Sequence, residues 1–148
     1  MDKTETTTIL QGACTEKYYY VDLNGEWRLS RLYTTDNGVY DGVYESFSNI
    51  ALSNGVSTAY IKVFGYNTFT LLLRYDGEGS YDYVRAECNG TIYKPSEPTT
   101  TNDISNYTTF TITGLNPSRE ETISIIYSKD SSGNNGTDRG YLLILKNQ

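Results

Sequence analysis

Residues 59–87 constrain the fold more than any other stretch, because three runs rich in aromatic and β-branched side chains lie between short turns. Glycine, asparagine and serine separate the runs, which is typical of consecutive antiparallel strands and not of a helix. In the middle run, apolar side chains recur at a spacing of two, at Phe69, Leu71, Leu73 and Tyr75. We expect that face to lie against a core. The opposite face, with Leu72 and Arg74, is expected to be either solvated or covered by a partner.

The same alternation recurs along most of the chain. Residues 107–115 and 121–127 alternate apolar and polar side chains, whereas residues 140–146 are apolar on both faces and predict a central or covered strand. We count about eight or nine strands. This predicts an all-β protein with an antiparallel two-sheet β-sandwich, jelly-roll or immunoglobulin-like. The predicted domains are residues 1–16, an N-terminal arm or edge strand, and residues 17–148, a single β-sandwich.

A two-residue turn is predicted at Asn24 and Gly25, because both tolerate the positive φ that a type I′ turn requires. The turn predicts a hairpin that joins a strand at residues 18–23 to a return strand at residues 26–33. In that return strand Trp27 and Leu29 are expected to share one face.

The longest irregular segment is residues 95–103, a polar tract that contains two prolines. Long loops in compact domains are often either mobile or involved in a contact. Both interpretations of this segment stay open, a mobile loop and a recognition or assembly loop.

The formal net charge of −6 disfavours partners that carry phosphate. Nucleic-acid affinity comes largely from neutralised phosphates, and the 12 Lys and Arg residues are scattered. We therefore predict no nucleic-acid partner and, for the same electrostatic reason, no anionic membrane surface. The N-terminus has no signal-peptide pattern, and no apolar run approaches the roughly 18 residues of a membrane span.

The chain contains no histidine, which removes the commonest general base and metal ligand. Acidic residues crowd one turn at Asp76, Glu78 and Asp82, but acids in turns usually bond their own backbone. We predict that the protein is not an enzyme and has no cofactor. The oxygen-rich residues 130–138 leave structural calcium as an alternative, although they do not match an EF-hand loop.

The two cysteines, Cys14 and Cys88, belong to no metal or redox motif. They are interpreted as separate thiols. A disulfide between them requires that the N-terminal segment lie beside residue 88, and the sequence leaves that alternative open.

Tyrosine is unusually frequent, with 15 residues. Tyrosine suits half-buried strand positions and also recognition surfaces. The aromatic residues chosen as a candidate contact surface are Trp27, Tyr33, Tyr40, Tyr44 and Tyr93. For Trp27 a second interpretation, packing in the core, stays open.

Several short sequence segments, taken in order along residues 18–145, resemble segments of a known group of proteins. They occupy residues 40–49, 65–71, 74–75 with 81–84, 127–130 and 136–143. Together they resemble a domain of structural proteins from tailed phages that infect gut Bacteroidetes, including crAss-like phages. The chain departs from that family at residues 74–78, where the family has a longer Arg-Ser-Tyr-Ala-Glu phrase.

The resemblance implies a virion structural protein, assembled in the host cytoplasm, either an auxiliary capsid protein that decorates or cements the head or a component of a head or tail fibre. Its implied partners are capsid or other virion proteins and copies of itself, and it implies no catalytic residue. The phrase at residues 136–143 also resembles a turn of bacterial jelly-roll carbohydrate-binding and adhesin domains. A carbohydrate- or receptor-binding module, with a host glycan as ligand, is therefore the alternative.

Overall fold

The computed structural model describes residues 16–30, 38–48, 55–77, 82–129 and 139–148. These residues form ten strands and one short 3₁₀ helix. The strands are β1 (Tyr18–Asp22), β2 (Trp27–Leu29), β3 (Tyr44–Ser46), β4 (Val56–Phe64), β5 (Phe69–Tyr75), β6 (Tyr83–Cys88), β7 (Thr91–Tyr93), β8 (Thr108–Ile112), β9 (Glu121–Ser128) and β10 (Gly140–Ile144). The 3₁₀ helix is Ile104–Asn106.

The strands form two antiparallel sheets of five strands each. Sheet A has the order β1-β4-β9-β6-β7, and sheet B has the order β2-β3-β10-β5-β8. The pairs β3 with β10, β4 with β9, β5 with β8 and β6 with β7 are nested within one another. A long hairpin rolled into two sheets gives this nesting, so the sandwich has the strand order of a jelly roll, and the predicted class is confirmed.

The three strands of residues 59–87 exist, but they do not pair with one another. β4 and β6 belong to sheet A, whereas β5 lies in sheet B between β10 and β8. β5 has a neighbour on each side and is buried on both of its faces.

The turn at Asn24 and Gly25 is confirmed, with φ of 57° and 68°. The predicted hairpin is wrong, because β1 pairs with β4 and β2 pairs with β3. The turn instead carries the chain from sheet A to sheet B, and Trp27 enters the core at once. Leu29 does not share that burial, since 61% of its surface is exposed against 1% for Trp27.

The main core lies between the two sheets. The inward face predicted for the middle run is confirmed, because Phe69, Leu71 and Leu73 are fully buried and Tyr75 is almost so. β9 contributes Ile123, Ile125 and Tyr127, which are also fully buried. β10 is central and buried throughout, as its two apolar faces predicted.

Some predictions concern residues outside the described ranges. These are the arm at residues 1–16 (apart from Glu16), the side chains of Cys14 and Tyr33, and the oxygen-rich residues 130–138. Cys88 is described as a buried free thiol.

Candidate interaction surface

The two sheets have very different outer faces. On sheet B, cross-strand pairing aligns Arg28, Glu45, Tyr141 and Arg74 in one row across β2, β3, β10 and β5. A second row of apolar residues lies beside it, and with Tyr107 it forms a small hydrophobic cluster of Val43, Leu72, Tyr107, Tyr141 and Leu143. We call these two rows the covered face.

Arg74 attaches the segment that covers this face. Only 3% of Arg74 is exposed, its Nη1 donates to the carbonyl oxygen of Thr99 at 3.1 Å, and its guanidinium lies 4.1 Å from the ring centre of Tyr141. The backbone N–H of Thr99 donates to the carbonyl of Tyr75 at 2.8 Å. Residues 95–103 are therefore held against the sheet. The outward side of β5 is covered by the protein's own chain and is neither solvated nor left to a partner.

The carboxylates on and beside the covered face are compensated by short contacts. Glu45, 6% exposed, accepts from Arg28 Nε at 2.8 Å and from Arg139 Nη1 at 2.9 Å. Asp76 accepts from the backbone N–H of Arg139 at 2.9 Å. These carboxylates link distant parts of the chain, and this bond of Asp76 goes to the backbone of Arg139 and not to its own turn.

Burial also acts on the phenols of this face. Burial raises the pKa of Tyr107 to about 12, although the nearby Arg74 guanidinium opposes the shift. The Tyr107 hydroxyl donates to Asn102 Oδ1 at 2.5 Å. Burial raises the pKa of Tyr141 as well. Both phenols are consequently neutral near pH 7, where they serve as packing and hydrogen-bonding groups.

The outer face of sheet A is not covered by any described segment. We call it the open face, and its outward side chains are Tyr18, Tyr20, Asp22, Val56, Thr58, Tyr60, Lys62, Phe64, Tyr83, Arg85, Glu87, Ile92, Thr122, Ser124, Ile126 and Ser128.

Half of these side chains are aromatic or aliphatic, although a solvated sheet face ordinarily carries polar residues. The most exposed of them are Ile92 at 60%, Tyr20 and Val56 at 50% each, and Tyr18 at 45%. Among the described residues, the other large apolar side chains with comparable exposure are Leu29 and Val39. Exposed apolar surface is thus concentrated on this face.

The aromatic residues at the β1 edge form a contiguous group. The Tyr18 ring stacks on Phe64 with ring centres 5.4 Å apart and on Tyr20 at 6.4 Å. The Tyr18 hydroxyl donates to Glu120 Oε2 at 3.0 Å. The rings are therefore held by one another and by a carboxylate, and they present an ordered apolar surface.

The cationic side chains on the open face lie next to a carboxylate or over an aromatic ring. The Arg85 Nε donates to Glu87 Oε2, and Lys62 Nζ lies 5.7 Å from the ring centre of Tyr60. Lys62 Nζ also donates to Thr122 Oγ1 at 3.0 Å. The outward strand side chains include two cations and two anions, Asp22 being the fourth charge. Lys94 over the Tyr83 ring and Glu120 at Tyr18 add one charge of each sign, so the face is neutral in a chain of charge −6.

A shallow depression of about 340 Å³ lies at the β7 side of this face. Glu87, Asn89, Thr122 and Ser124 line it together with the exposed Ile92. Its lining mixes hydroxyl, amide and carboxylate groups with one aliphatic side chain. The depression therefore suits polar, uncharged groups of a partner.

The aromatic residues chosen from the sequence lie elsewhere. Trp27 is a correction, because its indole lies in the core and its Nε1 donates to the carbonyl of Ser57 at 3.0 Å. Tyr44 and Tyr93 are half-buried against the main core, and Tyr40 is half-buried against the small hydrophobic cluster. Tyr33 lies outside the described residues. The structure does not bring the four described residues, Trp27, Tyr40, Tyr44 and Tyr93, together on one surface.

The outward-facing aromatic residues at the β1 edge that the sequence did not identify are Tyr18 and Tyr20, which are exposed, and Phe64, which is half-buried. A usable signal was present in the run of residues 18–20, because alternation along a strand places Tyr18 and Tyr20 opposite Tyr19. The sequence did not indicate which of the two sides faces solvent.

Within the described ranges no group of three or more acidic or cysteine side chains is placed to hold a metal ion. The described residues also include no helix that is long and apolar enough to cross a membrane. Comparison with protein-family models gives no match to this chain, and comparison with curated proteins gives none either.

Proposed function

We propose that this protein is a structural component of a phage virion that works by protein–protein assembly and not by turnover. Its role would be that of an auxiliary capsid protein or a head or tail fibre component, as the resemblance of its sequence phrases implies. The open face is the proposed contact surface for assembly.

The observation that supports this proposal most is the contrast between the two faces. The protein covers the β10 and β5 part of the outer side of sheet B with its own residues 95–107, yet leaves the aromatic and aliphatic outer side of sheet A without cover from any described segment. Exposed apolar patches of this kind are typical of protein–protein contact sites. A rigid sheet also loses little conformational entropy on binding, which favours association.

On a virion such a contact would be repeated many times. Each single contact can be weak, because neighbouring copies raise the effective concentration of the protein at the lattice. Small β-sandwich subunits with one apolar face fit this mode of assembly.

Copurification with particles tests the proposal. Virions purified from cells that express the intact protein are expected to retain it at high copy number after density-gradient separation. Ser124→Arg, which adds bulk and charge at the centre of the open face, is expected to reduce its occupancy. Thr111→Arg is the matched control, because Thr111 is an exposed strand hydroxyl on β8 of sheet B. Recovery of intact particles without the protein would contradict the proposal.

A second candidate function is carbohydrate or receptor binding by the same face. The stacked group of Tyr18, Phe64 and Tyr20 lies beside groups able to bind hydroxyls, such as Glu120 and Lys62. Aromatic side chains with adjacent polar groups are a common arrangement in sites that bind partly apolar, partly polar ligands. Sugars have this dual character.

Binding to an array of host capsular glycans separates the two candidates. Glycan binding predicts retention on specific sugars that Tyr20→Ala abolishes, whereas Leu29→Ala, an equally exposed apolar residue on sheet B, leaves it intact. Retention that is insensitive to Tyr20→Ala, or no retention on any glycan, would exclude carbohydrate binding through the open face.

A further inference from the structure

We infer that the partner on the open face is a second copy of this chain, packed face to face to form a symmetric dimer. The inference rests on the proposed function, since it names the partner of the same surface. Two properties of the open face support it: its charge and its size.

The charge argument starts from the repulsion between identical chains of charge −6. At physiological ionic strength, charges interact mainly within a Debye length of about 8 Å, so the charges nearest the interface decide whether two copies can approach. The open face carries equal numbers of cations and anions, and Arg85 is already paired with Glu87 on the same copy. Two such faces can therefore meet without net repulsion, and neither needs a charged partner.

A charged partner would require a patch of charges of one sign on the open face. Electrostatic complementarity relies on a patch of one sign opposite a patch of the other. Lys62 and Arg85 are each adjacent to a ring or a carboxylate, so no such patch forms on the open face. The complementarity that this face offers is to another neutral, partly apolar surface, and its own copy is one.

The size of the face agrees with a weak dimer. Five strands spaced about 4.8 Å apart, with on average about six residues at about 3.3 Å each, give roughly 480 Å² per copy. Two copies would bury roughly 950 Å², an area in the range of weak, transient interfaces. An isologous contact uses the same patch on both subunits, as a two-fold dimer requires. We therefore expect a dissociation constant on the order of micromolar.

Sedimentation equilibrium of the intact chain tests the inference. Between about 1 µM and about 100 µM the average mass is expected to rise from that of a monomer toward that of a dimer. Ser124→Arg is expected to weaken the dimer by at least about tenfold, because two added cations meet near the two-fold axis in a packed interface. Thr111→Arg on sheet B is expected to leave the dissociation constant within about twofold.

Melting curves of both variants establish that each is folded. If Ser124→Arg fails to fold, Tyr20→Lys at the exposed edge of the same face is the substitute, with Leu29→Lys as its matched control. Because the face is neutral, raising the salt from about 0.05 M to about 0.5 M is expected to weaken the dimer by less than about threefold.

A chain that stays monomeric at about 100 µM would overturn the inference. A dimer weakened by Thr111→Arg and not by Ser124→Arg would overturn it too, as would a dimer that dissociates on adding salt. Failure of the dimer is distinguishable from failure of the proposed function. If the chain is a monomer that still copurifies with virions, the virion role stands and the open face binds a different virion protein. If the chain is a dimer that is absent from virions, the dimer inference stands and the virion role is excluded.

Discussion

The outer faces of the two sheets differ in whether a described segment of the chain covers their apolar side chains. Both sheets present apolar side chains away from the core, Leu72, Tyr141 and Leu143 on sheet B and Tyr18, Tyr20 and Ile92 on sheet A. Sheet B buries the outward residues of β10 and β5 beneath residues 95–107, which are attached through Arg74 and Thr99. No described segment covers the outer face of sheet A in this way.

The difference teaches that, among the described residues, exposed large apolar side chains are concentrated on one face, with four of six on the open face. The chain has a segment long enough to cover a sheet face, and that segment lies on one face only. Charges follow the same division, since the carboxylate of Glu45 is buried between two arginines whereas Glu87 is paired at the surface. We interpret the covered face as part of the fold and the open face as the place where a partner binds.

The largest expected effect is the loss of stability when an apolar side chain on the covered face is shortened. Leu72→Ala on the covered face should destabilise the protein by about 2–5 kcal/mol, because Leu72 is 3% exposed and its removal leaves a cavity beneath residues 95–107. Ile92→Ala on the open face should change the free energy of unfolding by no more than about 0.5 kcal/mol. Urea denaturation of both variants measures the difference, and equal losses would show that the two faces are not distinct.

The next largest effect is the loss of stability when a carboxylate that is paired with arginine loses its charge. Glu45→Gln should destabilise by about 1–3 kcal/mol, because Arg28 and Arg139 would keep their charges without the buried carboxylate that both contact. Glu87→Gln, which removes a more exposed partner from Arg85, should cost about 0–1 kcal/mol. Chemical denaturation at low and at high salt compares them. A larger loss for Glu87→Gln would reverse the assignment of covered and open faces.

A smaller effect is expected in alkaline solution. The folded-state pKa of Tyr107, about 12, lies above its ordinary value of 10.0, so the folded state holds this proton more tightly than the unfolded state. This contribution to stability is fully present below pH 10 and is lost as the pH rises toward 12. Tyr107→Phe should flatten the decline of stability in that window, at a cost of about 1 kcal/mol at neutral pH from the lost bond to Asn102.

Thermal or urea unfolding at several pH values from neutral to alkaline measures this change. The parent protein is the control, and its stability should fall more steeply above pH 10 than that of the variant. Parallel curves for the two proteins would mean that Tyr107 is not buried against sheet B.

The smallest effect on stability is expected at the aromatic edge of the open face. Tyr20→Ala should change the free energy of unfolding by no more than about 0.5 kcal/mol, because half of Tyr20 is exposed. The same variant should weaken the dimer measurably in sedimentation experiments. A variant that loses stability and keeps the dimer would reverse the roles assigned to this residue, making it a packing residue and not a contact residue.

The sequence predicted the strands and their inward faces well, because side-chain alternation is local. Phe69, Leu71 and Leu73 follow the pleat of one strand, and the two apolar faces of β10 correctly indicated a central position. Pairing partners were less predictable. The turn at Asn24 and Gly25 has the local geometry of a hairpin, but the burial of Trp27 in the opposite sheet decides where the chain goes.

The contact surface was the least predictable feature. Tyrosine occurs on both sides of β1, and residue type alone does not distinguish Tyr19, whose hydroxyl donates to Asp41 at 2.6 Å, from the exposed Tyr18 and Tyr20. The cover over Leu72 and Arg74 comes from residues about 25 positions away, as the contact between Arg74 and Thr99 shows. Such long-range contacts depend on topology, which local patterns do not specify.

The most direct test of the contrast between the two faces is residue-resolved hydroxyl-radical labelling of the intact protein, diluted until it is monomeric. The account predicts fast modification of Tyr18, Tyr20 and Ile92 on the open face, and strong protection of Leu72, Tyr107 and Tyr141 on the covered face. Modification of Tyr107 and Tyr141 as fast as that of Tyr18 and Tyr20 would contradict it.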